Sequence, residues 1–159
     1  TLAGSLVLFG FSRGVGAELR FIEGMPFAAG SVERVVTAAD ILAELGRHVT
    51  LTPDEAGRDK APAERWRVDG GPDRVGVIAS VTRPFCRDCE RTRLTSDGMV
   101  RSCLFDHVET DLRTPMRAGA TDAVLAAAWQ AAMWAKPAGH RIVAPDFRPP
   151  ERPMSAIGG

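Results

Sequence analysis

The spacing of the cysteines constrains this chain more than any other feature of its sequence. All three, Cys86, Cys89 and Cys103, lie in one short segment, as a C-x2-C pair and a third thiol after thirteen intervening residues. This is metal-ligand spacing, because two cysteines on one turn can hold an ion that a distant third closes over. Three thiolates suit an iron–sulfur cluster with one iron left open, or a zinc ion completed by His107. The spacing alone does not separate these two metal sites.

Length and charge narrow the class of protein further. A chain of 159 residues can bury a core without disulfides, and an odd number of clustered cysteines fits a reducing compartment, so we expect a cytoplasmic protein. Twenty Lys and Arg residues balance twenty Asp and Glu residues, so no overall field predicts a nucleic acid or an anionic membrane as partner. The apolar run at residues 2–9 is too short to span a bilayer and lacks the basic segment of a signal peptide.

The first half of the chain shows strand and helix patterns in alternation. Residues 6–9 and 18–23 are rich in apolar, β-branched and aromatic side chains, which predicts two strands, the second with alternating sides. Thr37 and Asp40 have the spacing of a capping box and predict the start of a helix. Residues 53–65 carry proline, glycine and charge without an apolar period, which predicts an exposed loop.

Two antiparallel hairpins are predicted in the middle of the chain. The first pairs residues 66–68 with residues 75–81 across a glycine-rich turn. The second pairs residues 91–95 with residues 99–105 and should bring the last cysteine close to the C-x2-C pair.

A helix and an irregular tail follow these hairpins. Thr121 and Asp122 predict a helix start, and the helix should end near Ala135, because Pro137 and Gly139 stop it. The remaining residues are rich in proline and predict no regular structure.

Arg91 and Arg93 form a second candidate feature. They lie two apart on a predicted strand, so both guanidinium groups should leave the same face, next to Cys89. Paired guanidinium groups suit phosphate, since each can donate two hydrogen bonds to the oxygens of an anion. The alternative is a solvated strand face whose arginines pair with nearby carboxylates. Beside the clustered thiols, the pair predicts a substrate pocket with an open metal site and an anion clamp.

A glycine pattern near the start of the chain points to a different function. Gly10, Gly14 and Gly16 follow an apolar run and resemble the dinucleotide-binding turn of short-chain dehydrogenases, where glycines let backbone amides approach a phosphate. The residues that should then form a helix, 19–26, instead have strand character and end in proline. Nicotinamide binding is therefore the weaker interpretation.

One longer motif resembles a known family. Residues 85–105 read F-C-x-x-C-x-R-x-R-L-T-x-D-G-x-x-x-x-C-L-F, which is similar to the C-terminal cluster motif of the MoaA family. Members of that family are radical-SAM GTP 3′,8-cyclases, which begin molybdenum cofactor synthesis. Further matches lie in the expected order at residues 19–26, at 111–117, at Lys136 and His140, and at 152–159. The resemblance covers about residues 18 to 159.

The resemblance implies an iron–sulfur enzyme that acts on GTP. Cys86, Cys89 and Cys103 would hold a [4Fe–4S] cluster whose open iron meets the guanine base. Arg91, Thr92 and Arg93 would line the GTP site, and Met25 would contact S-adenosylmethionine. The C-terminal Gly158 and Gly159 would reach into the active site as catalytic residues. The implied fold is α/β, with the last part of an incomplete TIM-type barrel at residues 1–52, of which 1–17 are unmatched, and a cluster and GTP-binding region with antiparallel hairpins at residues 53–159.

The departures from the family bear on activity. Family members carry a second cluster motif, C-x3-C-x2-C, which cleaves S-adenosylmethionine, and this chain has none. We therefore expect the chain to be inactive alone, either as a fragment or with a separate chain supplying that half; a homodimer is compatible with both. Glu90 stands where the family usually has Asn, and its charge should weaken triphosphate binding modestly. The alternative is a non-enzymatic module or remnant paralogue in which the cysteines and His107 hold structural zinc.

Overall fold

The chain forms two compact units. The computed structural model describes residues 2–25, 36–54, 60–142 and 144–157. The described residues up to Asp88 make up the first unit, and those from Cys89 onward make up the second. The mixed α/β class that the sequence predicts is confirmed. None of the helices in these ranges has the length and apolarity needed to cross a lipid bilayer.

The first unit is a four-stranded sheet with two helices packed against it. Its elements are helix α1 (Leu2–Gly14), strand β1 (Leu19–Ile22), helix α2 (Ala38–Gly46) and strands β2 (Leu51–Pro53), β3 (Glu64–Val68) and β4 (Arg74–Ile78). The strand order is β1-β4-β3-β2, with β1 parallel to β4 and the other pairs antiparallel. Phe9, Ile41 and Leu45 of the helices join Val75 and Val77 of the sheet in one buried core.

Residues 6–9 lie in helix α1, so the strand predicted there is wrong. A short apolar run has no period that separates a buried strand from a helix. In the helix, Phe9 enters the core at 5% exposed while Val7 is 74% exposed. The helix also argues against a dinucleotide-binding turn, because such a turn follows a strand, whereas Gly10 and Gly14 lie within α1.

The predicted elements around α2 and the first hairpin are confirmed. Thr37 caps α2, because its hydroxyl accepts a hydrogen bond from the Asp40 amide (3.2 Å) and the Asp40 carboxylate accepts one from the Thr37 amide (2.9 Å). Strands β3 and β4 pair in antiparallel fashion, and Asp69 and Gly70 in their turn have φ angles of 52° and 67°. Two consecutive positive φ angles give a turn that matches the twist of a hairpin.

Two boundaries in this unit differ from the prediction. The loop predicted at 53–65 is too long, since Pro53 belongs to β2 and Glu64 and Arg65 belong to β3; residues 55–59 lie outside the described part. The strand predicted at 75–81 ends earlier, because β4 stops at Ile78. Strand β1 shows the predicted alternation of half-buried and exposed residues.

The second unit contains a three-stranded antiparallel sheet, in the order β5-β6-β7. Its elements are strands β5 (Arg93–Leu94), β6 (Met99–Arg101) and β7 (Thr110–Asp111) and helices α3 (Arg113–Arg117) and α4 (Asp122–Trp134). The second predicted hairpin is confirmed with shorter strands, and Arg93 lies opposite Arg101. Strand β7 and helix α3 were not expected, because two and five residues are too few to show a period.

Helix α4 and the tail agree with the prediction in outline and differ in detail. Thr121 precedes α4 as predicted, but its side chain forms no capping hydrogen bond. The tail contains one short 3-10 turn, Met154–Ala156, where no regular structure was expected. Ile157, the next residue, is completely buried. The last described residue of the tail is therefore a buried apolar side chain.

Candidate functional site

The three cysteines fall in both units. Cys86 begins a 3-10 turn (Cys86–Asp88) at the end of the first unit, whereas Cys89 and Cys103 belong to the second. All three are half-buried and none forms a disulfide. Across the described residues, no three His, Cys, Asp or Glu side chains stand together as a ready-made metal site. The assignment of the three thiols to one metal centre therefore stays a prediction.

The hairpin of β5 and β6 relates two of the thiols. Its register pairs Arg93 with Arg101. The paired residues end there, so Arg93 follows Cys89 by four residues and Arg101 precedes Cys103 by two. Both thiols also lie within electrostatic reach of the Arg93 guanidinium. Cys89 and Cys103 therefore share one neighbourhood in the second unit, as the predicted hairpin requires.

The backbone between Cys89 and Thr92 is irregular, and the end of helix α4 holds it. The Lys136 ammonium donates hydrogen bonds to the carbonyl oxygens of Cys89 (2.6 Å) and Arg91 (2.9 Å), and it lies 3.7 Å from the Cys89 Sγ. The Thr92 hydroxyl donates to the Met133 Sδ at 2.9 Å. Helix α4 therefore positions the segment that carries a predicted metal ligand and a predicted GTP ligand.

The two arginines of the predicted clamp differ in their setting. Arg93 begins β5, but Arg91 precedes the strand, so the argument that both leave one strand face is wrong. Arg91 is exposed and Arg93 is half-buried. Burial lowers the pKa of Arg93, and the positive charges of Arg91 and Arg101 lower it further, while the nearby thiols Cys103 and Cys89 act in the opposite direction. An anion bound here would relieve the repulsion between the guanidinium groups.

Arg101 is a member of this group that the sequence argument missed. Its side chain is 2% exposed; it donates to the Glu109 Oε1 at 3.0 Å and to the carbonyl oxygen of Asp106. Within the part of the chain that the structure describes, its buried Nε has no hydrogen-bond partner. The alternating pattern of a strand does not reveal that an arginine is buried. The position of Arg101 two residues before Cys103 could have indicated that it lies near the thiols.

Glu23 anchors the segment that leads to Cys86. Its carboxylate is 1% exposed and accepts hydrogen bonds from the amides of Ala38 (2.7 Å), Val81 (2.8 Å) and Thr82 (2.9 Å) and from the Thr82 hydroxyl. Burial raises the pKa of Glu23, but the hydrogen bonds from Thr82, Ala38 and Val81 outweigh it and the pKa is lowered. One ionised carboxylate thus ties the end of β1 to the start of α2 and to the chain after β4.

A cavity of about 340 Å³ lies beside Cys103 within the second unit. Phe105 forms part of its wall, and the ring packs edge-on against His140, with centroids 5.1 Å apart. His107, the fourth ligand of the zinc interpretation, also lines the cavity, and its Nε2 lies 3.1 Å from the carbonyl oxygen of Arg148. This wall combines aromatic rings with one of the three thiols.

The remaining predicted site residues lie at the ends of described segments. Met25 is half-buried and follows Glu23 by two residues. Gly158 and Gly159 lie outside the described residues. The tail before them is fixed by Arg152, whose guanidinium contacts the carboxylates of Asp97 (2.5 Å) and Glu109 (3.2 Å). These contacts attach the tail to the β5–β6 turn and to the residue before β7.

Comparison with known proteins gives one consistent result. Residues 17–142 match the family model described as Molybdenum Cofactor Synthesis C. A protein of Mycobacterium tuberculosis named GTP 3′,8-cyclase 2 is 58% identical over 151 residues, which are 91% of this chain and 42% of that protein. Proteins named GTP 3′,8-cyclase from Rhodococcus opacus (55% identical; 100% of this chain, 46% of that protein) and Streptomyces coelicolor (58%; 89% and 43%) are similar to the same extent. The chain spans less than half the length of each relative.

Proposed function

Because the chain belongs to the molybdenum cofactor synthesis C family, we propose that it is the C-terminal part of a GTP 3′,8-cyclase and that it binds GTP beside an iron–sulfur cluster. The whole protein would convert GTP to (8S)-3′,8-cyclo-7,8-dihydroguanosine 5′-triphosphate by radical chemistry in molybdenum cofactor biosynthesis. This chain would recognise the substrate and would be inactive without the half that cleaves S-adenosylmethionine.

One observation carries the proposal: cationic side chains gather around Cys89 and Cys103 although the chain has no net charge. Lys136 contacts Cys89, and Arg93 lies within electrostatic reach of both thiols. Thiolates bound to an iron–sulfur core carry negative charge, and nearby cations stabilise it. The chemistry of the donor set therefore fits a cluster, and the same cations favour a phosphate-bearing ligand.

The proposed ligands of the [4Fe–4S] cluster are Cys86, Cys89 and Cys103. When bound, the cluster supplies an iron without a protein ligand, at which the guanine base can bind. Arg91, which is exposed, and Arg93, which is half-buried, would donate hydrogen bonds to the phosphate oxygens of GTP.

Other residues would complete the site in the whole protein. Thr92 would line the nucleotide site, with its backbone positioned by the hydrogen bond from its hydroxyl to Met133. Met25 would contact S-adenosylmethionine at the end of β1, a strand that we assign to the incomplete TIM-type barrel. Gly158 and Gly159 would act in catalysis, and the ion pairs of Arg152 would direct the tail that carries them. We propose that the protein works in the cytoplasm.

The test is metal and sulfide analysis of the anaerobically purified chain, with an absorption spectrum recorded before and after addition of GTP. We expect about four irons and four sulfides per chain, as the cluster composition requires, and a spectrum that GTP perturbs. Stoichiometric zinc from cells with adequate iron, and no response to GTP, would instead identify the structural zinc module.

Variants of the arginines separate nucleotide binding from general charge effects. Arg91→Ala and Arg93→Ala should each weaken GTP binding by about 1.5–3 kcal/mol, the scale of a hydrogen bond to a charged group. Arg47→Ala is the matched control, because Arg47 lies in the first unit and its guanidinium pairs with Glu44 at the surface. Equal GTP affinity of all three variants in titration calorimetry would reject the phosphate clamp.

A further inference from the structure

Lys136 has an unusual set of contacts for a lysine. Its side chain is half-buried, and in the described part of the chain it forms no ion pair with a carboxylate. Its ammonium group contacts one irregular segment: the carbonyl oxygens of Cys89 and Arg91 and the Cys89 Sγ. An ammonium group has three N–H donors and no acceptor, so this segment can use its whole donor capacity.

We infer that Lys136 is a positioning residue of the metal and nucleotide site, and that it sets the electronic character of the Cys89 ligand. The inference rests on the proposed function, because it requires that Cys89 binds the cluster. It adds to that function a residue that contacts a ligand of the metal and the backbone of a GTP-binding residue at the same time.

The geometry explains how Lys136 can hold this segment firmly. Its own amide donates to the Met133 carbonyl at 3.1 Å, which continues the last turn of α4, and Pro137 follows it directly. The base of the side chain is therefore fixed by the helix end. Since the Thr92 hydroxyl donates to the Met133 Sδ, Met133 in the last turn of α4 and Lys136 just after the helix both hold the segment between Cys89 and Thr92.

The charge of Lys136 gives the electronic effect. A hydrogen-bond donor beside a ligand sulfur withdraws electron density from it, and a positive charge favours the more negative, reduced form of a cluster. Both effects raise the reduction potential. The two hydrogen bonds to carbonyl oxygens hold the backbone of the segment in place. Without them, the Arg91 carbonyl loses a charged donor, and the Arg91 side chain must be ordered when GTP binds, which weakens binding.

The experiment compares Lys136→Met, Lys136→Gln and Lys136→Arg with the wild-type chain after anaerobic reconstitution. The methionine removes the charge and the donors, the glutamine removes the charge but keeps N–H donors on a shorter side chain, and the arginine keeps both charge and donors. Lys60→Met is the matched control, because it removes the other lysine of the sequence, which lies in the first unit. Iron and sulfide content, the reduction midpoint from a dithionite titration, and GTP affinity are measured for each, with circular dichroism to confirm folding.

We expect midpoints more negative than wild type for the methionine and glutamine variants, and a midpoint nearer to wild type for arginine. We expect cluster affinity to fall about 10- to 100-fold in Lys136→Met, the effect typical of residues that orient metal ligands, with weaker GTP binding and no change in Lys60→Met. If Lys136→Met does not fold, the glutamine midpoint decides. Wild-type midpoint and GTP affinity in both neutral variants would overturn this inference alone, whereas a wild-type chain that takes up no cluster would overturn the proposed function and this inference with it.

Discussion

Replacing Glu23 with glutamine tests whether one buried carboxylate holds the segment that leads to Cys86. The Glu23 Oε1 accepts hydrogen bonds from the Ala38 amide and the Thr82 hydroxyl, and its Oε2 accepts from the amides of Val81 and Thr82. Glutamine offers only one acceptor oxygen, and its NH2 group must face donors at the other position. The substitution keeps the size of the side chain and changes only charge and hydrogen bonding.

The expected loss of unfolding free energy follows from the more favourable of the two orientations of the glutamine side chain. The NH2 group should replace Oε1, because the Thr82 hydroxyl can rotate to accept from it, whereas the amides at Oε2 can only donate. The Ala38 amide then loses its acceptor, at a cost of about 1–3 kcal/mol for a buried donor. The two bonds at the other oxygen lose their charge assistance, about 1 kcal/mol each. Since removing a buried charge offsets part of this, we expect a net loss of about 2–4 kcal/mol.

The loss should depend on pH in a defined direction. The pKa of Glu23 is lowered in the folded chain, because its hydrogen bonds outweigh burial. A group whose folded pKa is lowered stabilises the fold above its unfolded pKa, about 4.3 for Glu, and that stabilisation is lost as the pH falls through the folded pKa. The difference between wild type and Glu23→Gln should therefore be greatest near neutral pH and shrink in acid.

Urea unfolding at neutral and acidic pH measures this difference, and hydrogen exchange at the amides of Ala38, Val81 and Thr82 localises it. Glu151→Gln is the control, since Glu151 is an exposed carboxylate of the second unit. An unfolding free energy of Glu23→Gln that matches wild type, or a difference that stays constant down to about pH 3, would refute the reasoning, because a buried ionised acceptor must give both effects.

Two further predictions concern the second unit. Gly98→Ala should destabilise the chain more than Gly119→Ala in urea unfolding. Both glycines have φ near +80°, which costs alanine about 1–2 kcal/mol, but only at Gly98 would the new Cβ lie 2.6 Å from the Arg113 Cβ. Equal losses of unfolding free energy in the two variants would show that Arg113 moves away freely. Arg152→Ala should release the tail at neutral pH and have a smaller effect in acid. The hydrogen bonds from Arg152 and from the Thr95 hydroxyl lower the pKa of Asp97 to about 2, so the ion pair between Asp97 and Arg152 is complete above pH 3.8 and is lost as the pH falls toward 2. Limited proteolysis of the tail at both pH values measures its release, and cleavage of the wild-type tail that does not depend on pH would contradict the prediction.

The parts of the fold that could be predicted are those specified by neighbouring residues. The capping box of Thr37 and Asp40 and the glycine-rich turn between β3 and β4 depend on nearby residues, and both appear as expected, with the positive φ angles of the turn at Asp69 and Gly70. Residues 6–9 failed for the opposite reason, because an apolar run is compatible with a strand or a helix until its packing partners are known.

The same distinction between local and distant contacts applies to the candidate site. The hairpin between Arg93 and Arg101 followed from its turn residues, whereas the metal and phosphate roles of the thiols and the arginine pair stay predictions. The roles of Lys136 and Glu23 could not be predicted from the sequence, because their partners lie 47 and 59 residues away in the chain. A lysine after a helix and a glutamate at a strand end look like surface residues until tertiary structure gives them partners.

The ion pairs of the second unit join the buried Arg101 to the tail. Glu109 is shared by Arg101 and Arg152, and Arg152 also pairs with Asp97. These two carboxylates therefore pair with the buried arginine and with the tail. Arg93 lies beside Arg101, whose positive charge lowers the pKa of Arg93, while the nearby Cys103 thiol acts in the opposite direction. An anion bound beside Cys103 would relieve the repulsion between these guanidinium groups.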